Sequence, residues 1–336
     1  MRINKIIVTF LITIIFCSKT TSQEGLPIYS DYLSDNFYLL FPSMAGVSNC
    51  TKLRFTGRKQ WMDQDKSPNL QTLSINGRLG ESRSALGSII FNDENGYHSQ
   101  SGAYFTYAHH ILFSRSELDL NMLSFGLSAG LIQYKLDESS FLNAGFDPLI
   151  SGTLETTGYF NIDVGMSYVN SKYYAHLTLK NLLFSPHDMY GDFEYDYPRD
   201  RTSYKRLIAS LGYVFYTDSP WSFEPSTLFQ ISELTTEKSI DLNLKSYYKL
   251  NFGRIWAGLS FRNSFEGAEY INVSNGTVEE QRLQLITPLF GIDYKDFVFS
   301  YNYSHQFGDI NFGSGGFHQI TIGFNFLRGS IDCDCY

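Results

Sequence analysis

Seven histidines, four cysteines and a scatter of carboxylates are the residues of this 336-residue chain with the chemistry for catalysis or metal binding. His109 and His110 are adjacent in a stretch that alternates like a strand, so their rings point to opposite faces and cannot ligate one metal. His176 and Lys180 share the polar face of one alternating segment, and Asp163 lies on the polar face of the segment before it. Enclosed in a polar lumen, such charges satisfy one another; the alternative is a transport filter. No Ser-His-Asp set is legible from spacing, because a hydrolase built on strands gathers its residues from distant positions. His176 and His305 are the positions such an enzyme would use. The run Gly313-Ser314-Gly315-Gly316 precedes a strand pattern rather than a helix, so it lacks the helix N-terminus of a phosphate cradle. The residues therefore assign no catalytic, cofactor or metal site, and the chain is expected not to be an enzyme.

The elements that position these residues are strands. From 123 to 131 the odd positions Leu123, Phe125, Leu127, Ala129 and Leu131 face one way, and Ser124, Gly126, Ser128 and Gly130 the other. The contrast repeats at Phe160, Ile162, Val164, Met166 and Tyr168 against Asn161, Asp163, Gly165 and Ser167, and again at Ile320, Ile322, Phe324 and Phe326 against Thr321, Gly323 and Asn325. A soluble sandwich also alternates, but its polar face is rich in Lys, Glu and Thr. Here that face is Gly, Ser and Asn, which reads as lumen opposite lipid.

Composition points the same way: 16% aromatic residues with 24 Tyr and 28 Phe, and 27 Gly against 9 Pro, suit a barrel with aromatic girdles. A net charge of −8 disfavours the basic face that phosphates need, so no nucleic-acid partner is expected. Arg2 and Lys5, the apolar run 6–16 and the small polar residues up to Ser22 form a signal-peptide pattern with cleavage expected near Gln23. The apolar run is too short for the roughly 20 residues of a membrane-spanning helix.

Strands are predicted at 51–61, 68–79, 84–92, 98–113, 118–135, 158–169, 172–183, 204–216, 221–233, 238–250, 252–264, 281–294, 295–306 and 316–326. Links after even-numbered strands are tight and those after odd-numbered strands longer, as in outer-membrane barrels with short periplasmic turns. The expected fold is all-β, a transmembrane antiparallel outer-membrane β-barrel of about 14 strands. Its expected divisions are a signal peptide (1–22), a periplasmic N-terminal segment (23–50), the barrel (51–326) and a C-terminal tail (327–336). Leu127, Val164 and Leu177 should then meet lipid, where a charge costs about 2–4 kcal/mol, whereas Ser128 and Thr178 should tolerate charge far better.

The order of short motifs along this architecture resembles the PorP/SprF family of the Bacteroidetes type IX secretion and gliding machinery. The segment 23–32 with Pro27 is followed by Phe41-Pro42-Ser43-Met44-Ala45-Gly46, which is similar to that family's "NPAFAG" box with Phe41 in place of its Asn. Arg58, Gln60 and Trp61 match the family's "YRNQW"; Asn92, Asp93 and Gly96 match its "NDKIG". Residues 123–130 match "LSFGLSAG", and 316–326 match the closing "GxHEISLxFxF". The resemblance implies a non-enzymatic accessory in the outer membrane, contacting its lipid, other type IX components and an exported surface protein such as a large adhesin. A passive or ligand-gated pore and an outer-membrane hydrolase are the alternatives.

Removal of Cys17 with the signal leaves Cys50, Cys333 and Cys335 in an oxidising compartment. Barrel closure makes the first and last strands neighbours, so a disulfide from Cys50 to Cys333 or Cys335 is expected to staple the seam. Free tail thiols, or a strained Cys333–Cys335 ring, are the other outcomes.

Overall fold

The computed structural model describes residues 36–48, 50–62, 66–116, 119–139, 152–183, 205–233, 237–271, 277–307 and 316–327. Fifteen strand segments run as β1 (Thr51–Gln60), β2 (Asn69–Arg78), β3 (Ser84–Asn95), β4 (His98–Ser116), β5 (Asp119–Asp137), β6 (Leu154–Asn170), β7 (Tyr173–Lys180) and β8 (Arg206–Tyr213). They continue as β9 (Phe215–Tyr216), β10 (Trp221–Ser232), β11 (Lys238–Leu250), β12 (Gly253–Ile271), β13 (Val278–Tyr294), β14 (Phe297–Phe307) and β15 (Phe317–Phe326). Each pairs antiparallel with its sequence neighbours, with β8 and β9 sharing one position beside β10, and β1 pairs with β15 to close a 14-strand barrel.

The β4–β5 ladder shifts register between Leu112 and Ser114 and the β12–β13 ladder between Asn263 and Gly267; two prolines explain two further irregular ladders. Pro225 has no N–H to donate, and the β10 ladder toward β8 and β9 stops at Ser226–Gly212 and restarts at Phe223–Phe215. Val214, stranded in between, donates its N–H to the Lys172 carbonyl instead. Pro288 pairs in register with Leu259 of β12, while the β13–β14 ladder breaks between Ile286–His305 and Leu289–Asn302.

The expected alternation of faces holds. Outward side chains are apolar and exposed, among them Leu131 at 65% and Phe105 at 64%, a surface that only lipid can cover. Links at one end (79–83, 117–118, 171–172, 217–220, 251–252, 295–296) are all tight. Those at the other end include the long 138–153 and 181–205. Two depart from the parity: 233–237 is no longer than 79–83, and β3 runs on to Asn95, so Gly96 and Tyr97 alone connect it to β4 at the long-loop end, with Gly96 at φ 65°. Among the described residues no helix is long and apolar enough to cross a membrane.

The seam register, Thr51 opposite Phe326, sets Cys50 beside the point where the chain leaves β15. Cys50 is buried and disulfide-bonded. Its partner lies outside the described residues, as do Cys333 and Cys335. A Cys50-to-tail staple remains a proposal: non-reducing peptide mapping should recover one linked peptide containing Cys50 and residues of the tail. Cys50 recovered fully alkylated, or joined to a second chain, would remove the staple.

Candidate functional site

The inward face of the barrel is where side chains of unlike chemistry converge. Its centre is occupied by residues 36–48, which sequence analysis assigns to a separate periplasmic segment. That boundary is corrected: the described part of the segment lies inside the barrel, packed on β4, β5 and β6. Two 3-10 turns shape it, Phe37–Leu39 and Pro42–Met44, the second begun by a proline whose fixed φ suits the first position. Gly46 ends it at φ 65°, a backbone that glycine adopts without strain, with its α-carbon against Ala85.

The Gly/Ser face of the strands is the surface that admits this segment. A β-carbon on Gly126 would collide with the Pro42–Ser43 backbone, one on Gly87 with the Tyr38 ring, and one on Gly165 would press on Pro42 and Ser43. Tyr38, Leu39, Leu40, Phe41, Met44 and Val47 form one buried cluster with Leu70, Ile89, Tyr104, Met122 and Ile208 of the wall. Each large apolar side chain so buried contributes roughly 1.5–3 kcal/mol. Gly126→Ala should therefore destabilise the barrel by about 1–3 kcal/mol through overpacking. Urea unfolding of detergent-folded protein checks this, and a stability equal to wild type would mean that the segment does not touch β5.

Polar contacts are matched as closely. The Asn36 amide donates to Ser74 Oγ at 2.9 Å, Tyr38 OH to Thr106 Oγ1 at 2.8 Å, and the Gly46 N–H to Asn76 Oδ1 at 3.0 Å. Burial pushes the Tyr38 hydroxyl far above its ordinary pKa, which keeps it a neutral donor. Arg78 spans the segment's exit, donating to the carbonyls of Gly46 at 3.0 Å and Val47 at 3.1 Å. Ser43 Oγ lies 2.6 Å from Ser167 Oγ, which lies 2.8 Å from His176 Nδ1.

This Ser–His contact has the partners of a nucleophile and base, but not the access. His176 is 4% exposed, its ring stacked on Tyr174 at 4.9 Å and covered by Phe41 at 4.8 Å. Asp163 is engaged elsewhere, accepting from Lys180 at 3.1 Å and from the Asn181 N–H at 2.9 Å. The arrangement is a buried hydrogen-bonded clamp. His110 faces inward onto Ser124 at 2.8 Å while its neighbour His109 faces out beside Ser84, as their adjacency requires. His305 is exposed on the outer face. Among the described residues no group of His, Cys, Asp and Glu is placed to hold a metal.

Farther round the wall, charges are paired across strands. Asp241 accepts two bonds from Arg262, at 2.7 and 2.8 Å. Glu224 accepts from Tyr174 and Tyr247, each at 2.6 Å, with Lys245 3.7 Å away, and Phe37 packs edge-on to Tyr174 at 5.5 Å. Such pairs tolerate burial because each charge keeps its partners. The tolerance of lumenal charge expected at Ser128 and Thr178 is corrected too: Ser128 is 3% exposed and bonded to Thr106 at 2.6 Å, and Thr178 is equally enclosed.

The family model described as the type IX secretion system membrane protein PorP/SprF matches residues 21–324. The chain belongs to this family. It is an outer-membrane protein of type IX secretion. Among solved structures the chain is similar to the toluene transporter TodX of Pseudomonas putida, at 10% identity over 92% of this chain and 99% of that one, with a TM-score of 0.44. It is also similar to the beta domain of the Bordetella autotransporter BrkA, at 11% identity over 84% and 98% of the two chains, with a TM-score of 0.41. CdiB from Acinetobacter baumannii matches at 9% identity and a TM-score of 0.39 over 82% of this chain, which spans 60% of CdiB's length. At these identities the likeness is one of fold alone. No curated protein matches the chain.

The residues matching family motifs fall into two separate groups. Pro42 and Gly46 belong to the enclosed segment, Gly46 held by Arg78 near the tight-turn end. Arg58, Gln60, Trp61, Asn92, Asp93 and Gly96 gather at the opposite end. There Arg58 covers the Phe317 ring at 4.8 Å and interacts electrostatically with Asp93. The Gln60 N–H donates to the Pro68 carbonyl at 2.9 Å, the Gly96 N–H donates to the Lys66 carbonyl at 3.2 Å, and Lys66 sits 3.8 Å over the Tyr97 ring. Trp61 turns the chain out of β1 at φ 44°. Sequence analysis named the Phe41–Gly46 box without placing it in the lumen, and missed Asn36 and Tyr38. The unbroken run Tyr38-Leu39-Leu40-Phe41, too apolar for a segment left in water, was the available signal.

Proposed function

We propose that this protein is a non-enzymatic accessory of type IX secretion that assists the export or surface attachment of a cargo protein, such as a large adhesin. The observation that carries the reading is membership of the family along 21–324. The lumen lends support: a barrel with residues 36–48 packed on its inner wall is better suited to holding partners at its rims than to passing solutes. Against a hydrolase stands the burial of Ser167 and His176, which leaves that pair without access to lipid or peptide.

The test is deletion of the gene followed by comparison of surface proteomes. A specific exported protein should vanish from the cell surface while uptake of small solutes stays unchanged. An unaltered surface proteome sinks the reading, and reduced solute uptake with normal surface display turns it toward a pore.

A further inference from the structure

Segments that open as gates come from the weakly held parts of a fold, with few buried contacts and exposed backbone bonds. Residues 36–48 are the opposite. Their polar anchors lie on four strands along the arc of wall from β2 to β7: Ser74, Asn76 and Arg78 on β2, Thr106 on β4, Ser167 on β6, and Lys180 on β7, whose Nζ reaches the Leu39 carbonyl at 3.4 Å. Withdrawal would break all of these bonds together and strand polar groups on both sides of the contact. The chain also leaves the segment at Ser48 and enters β1 at Thr51, so its exit is tethered to the wall within a few residues. The wall strands carry glycine where the segment's main chain or the Tyr38 ring comes closest, at Gly126 and Gly87. The complementarity is built for contact that persists.

We infer that residues 36–48 are a fixed plug, a packed core of the barrel that stays in place while the protein works. Cargo is then handled on the rims, and no polypeptide or solute passes through this lumen. The part about cargo rests on the secretion reading above; the fixed plug does not.

The test locks the plug. Ser43→Cys and Ser167→Cys replace two hydroxyls whose oxygens are 2.6 Å apart, so a mild thiol oxidant that accepts the two electrons and two protons should join them as a disulfide. In cells, the oxidised double variant should carry the new bond, confirmed by peptide mapping, and display surface cargo at the wild-type level. Loss of display in the locked variant, with both single variants normal, overturns the fixed plug. Failure of the two cysteines to join overturns the placement of the segment. Purified wild-type protein in planar bilayers should give no channel steps, and steps abolished by the lock would equally overturn the inference. If gene deletion leaves the surface proteome untouched, the secretion reading falls, and the bilayer and cross-linking results still decide the plug.

Discussion

Phe41→Ala is expected to lower the stability of the folded barrel by about 3–5 kcal/mol, the cost of removing a large ring from a packed interior. Phe41 is 0% exposed, set against His176 at 4.8 Å and Phe37 at 6.4 Å, so the space it leaves cannot collapse without moving the wall of β7. Phe41→Leu keeps most of the volume and should cost less than about 1.5 kcal/mol. Equilibrium unfolding in detergent, followed by the heat-modifiable migration typical of folded barrels, gives the comparison. Equal stabilities for the alanine variant and wild type would mean that residues 36–48 do not pack in the lumen.

Leu127→Arg should cost about 2–4 kcal/mol by placing a charge among acyl chains. Leu127 is 49% exposed on the outer face, midway along β5, opposite Tyr107 and Val164 on the flanking strands. The proper control is an inward position away from the plug. Ser260 of β12 pairs with Thr287 and Asn243, is only half-buried, and should accept Ser260→Lys with much smaller loss. Folding yield into vesicles reads both variants, and equal impairment of the two would reverse the assigned faces.

The strands were legible because a half-lipid, half-lumen wall obliges the sequence to alternate at every other residue, and that period survives in β5, β6 and β15 without help from tertiary contacts. The prolines did not hide β10 or β13, since each costs one ladder bond and leaves the alternation intact. The enclosed segment obeys no such period. Between Phe37 and Val47 the backbone turns twice, so its apolar residues point in several directions and match neither a strand nor a helix. Its partner surface is legible as the lumenal face. The alternation puts Gly126, Ser128 and Gly130 on the lumenal face without saying what fills the lumen, and the small size of Gly126 is what lets Pro42 and Ser43 approach. Ser128 looks tolerant of charge on that face only as long as nothing is known to enclose it. His109 and His110 were resolved correctly because adjacency in a strand fixes opposite faces whatever fills the lumen. The clamp of Ser43, Ser167 and His176 joins residues up to 133 positions apart, a proximity that only the packing of the segment on β6 and β7 creates.

The position of the plug ahead of β1 in the chain has a consequence for how the protein is made. Residues 36–48 contact β2, β4, β5, β6 and β7, all of which follow them in sequence and precede the last strand, β15. Joining β15 to β1 is the step that turns the sheet into a cylinder. A segment this bulky, knotted to five strands by side chains, could reach the centre of a finished cylinder only by threading through a rim. The order of assembly that avoids such threading is wrapping, in which the sheet curls around a segment already seated on its concave side and the edges that carry Thr51 and Phe326 meet last.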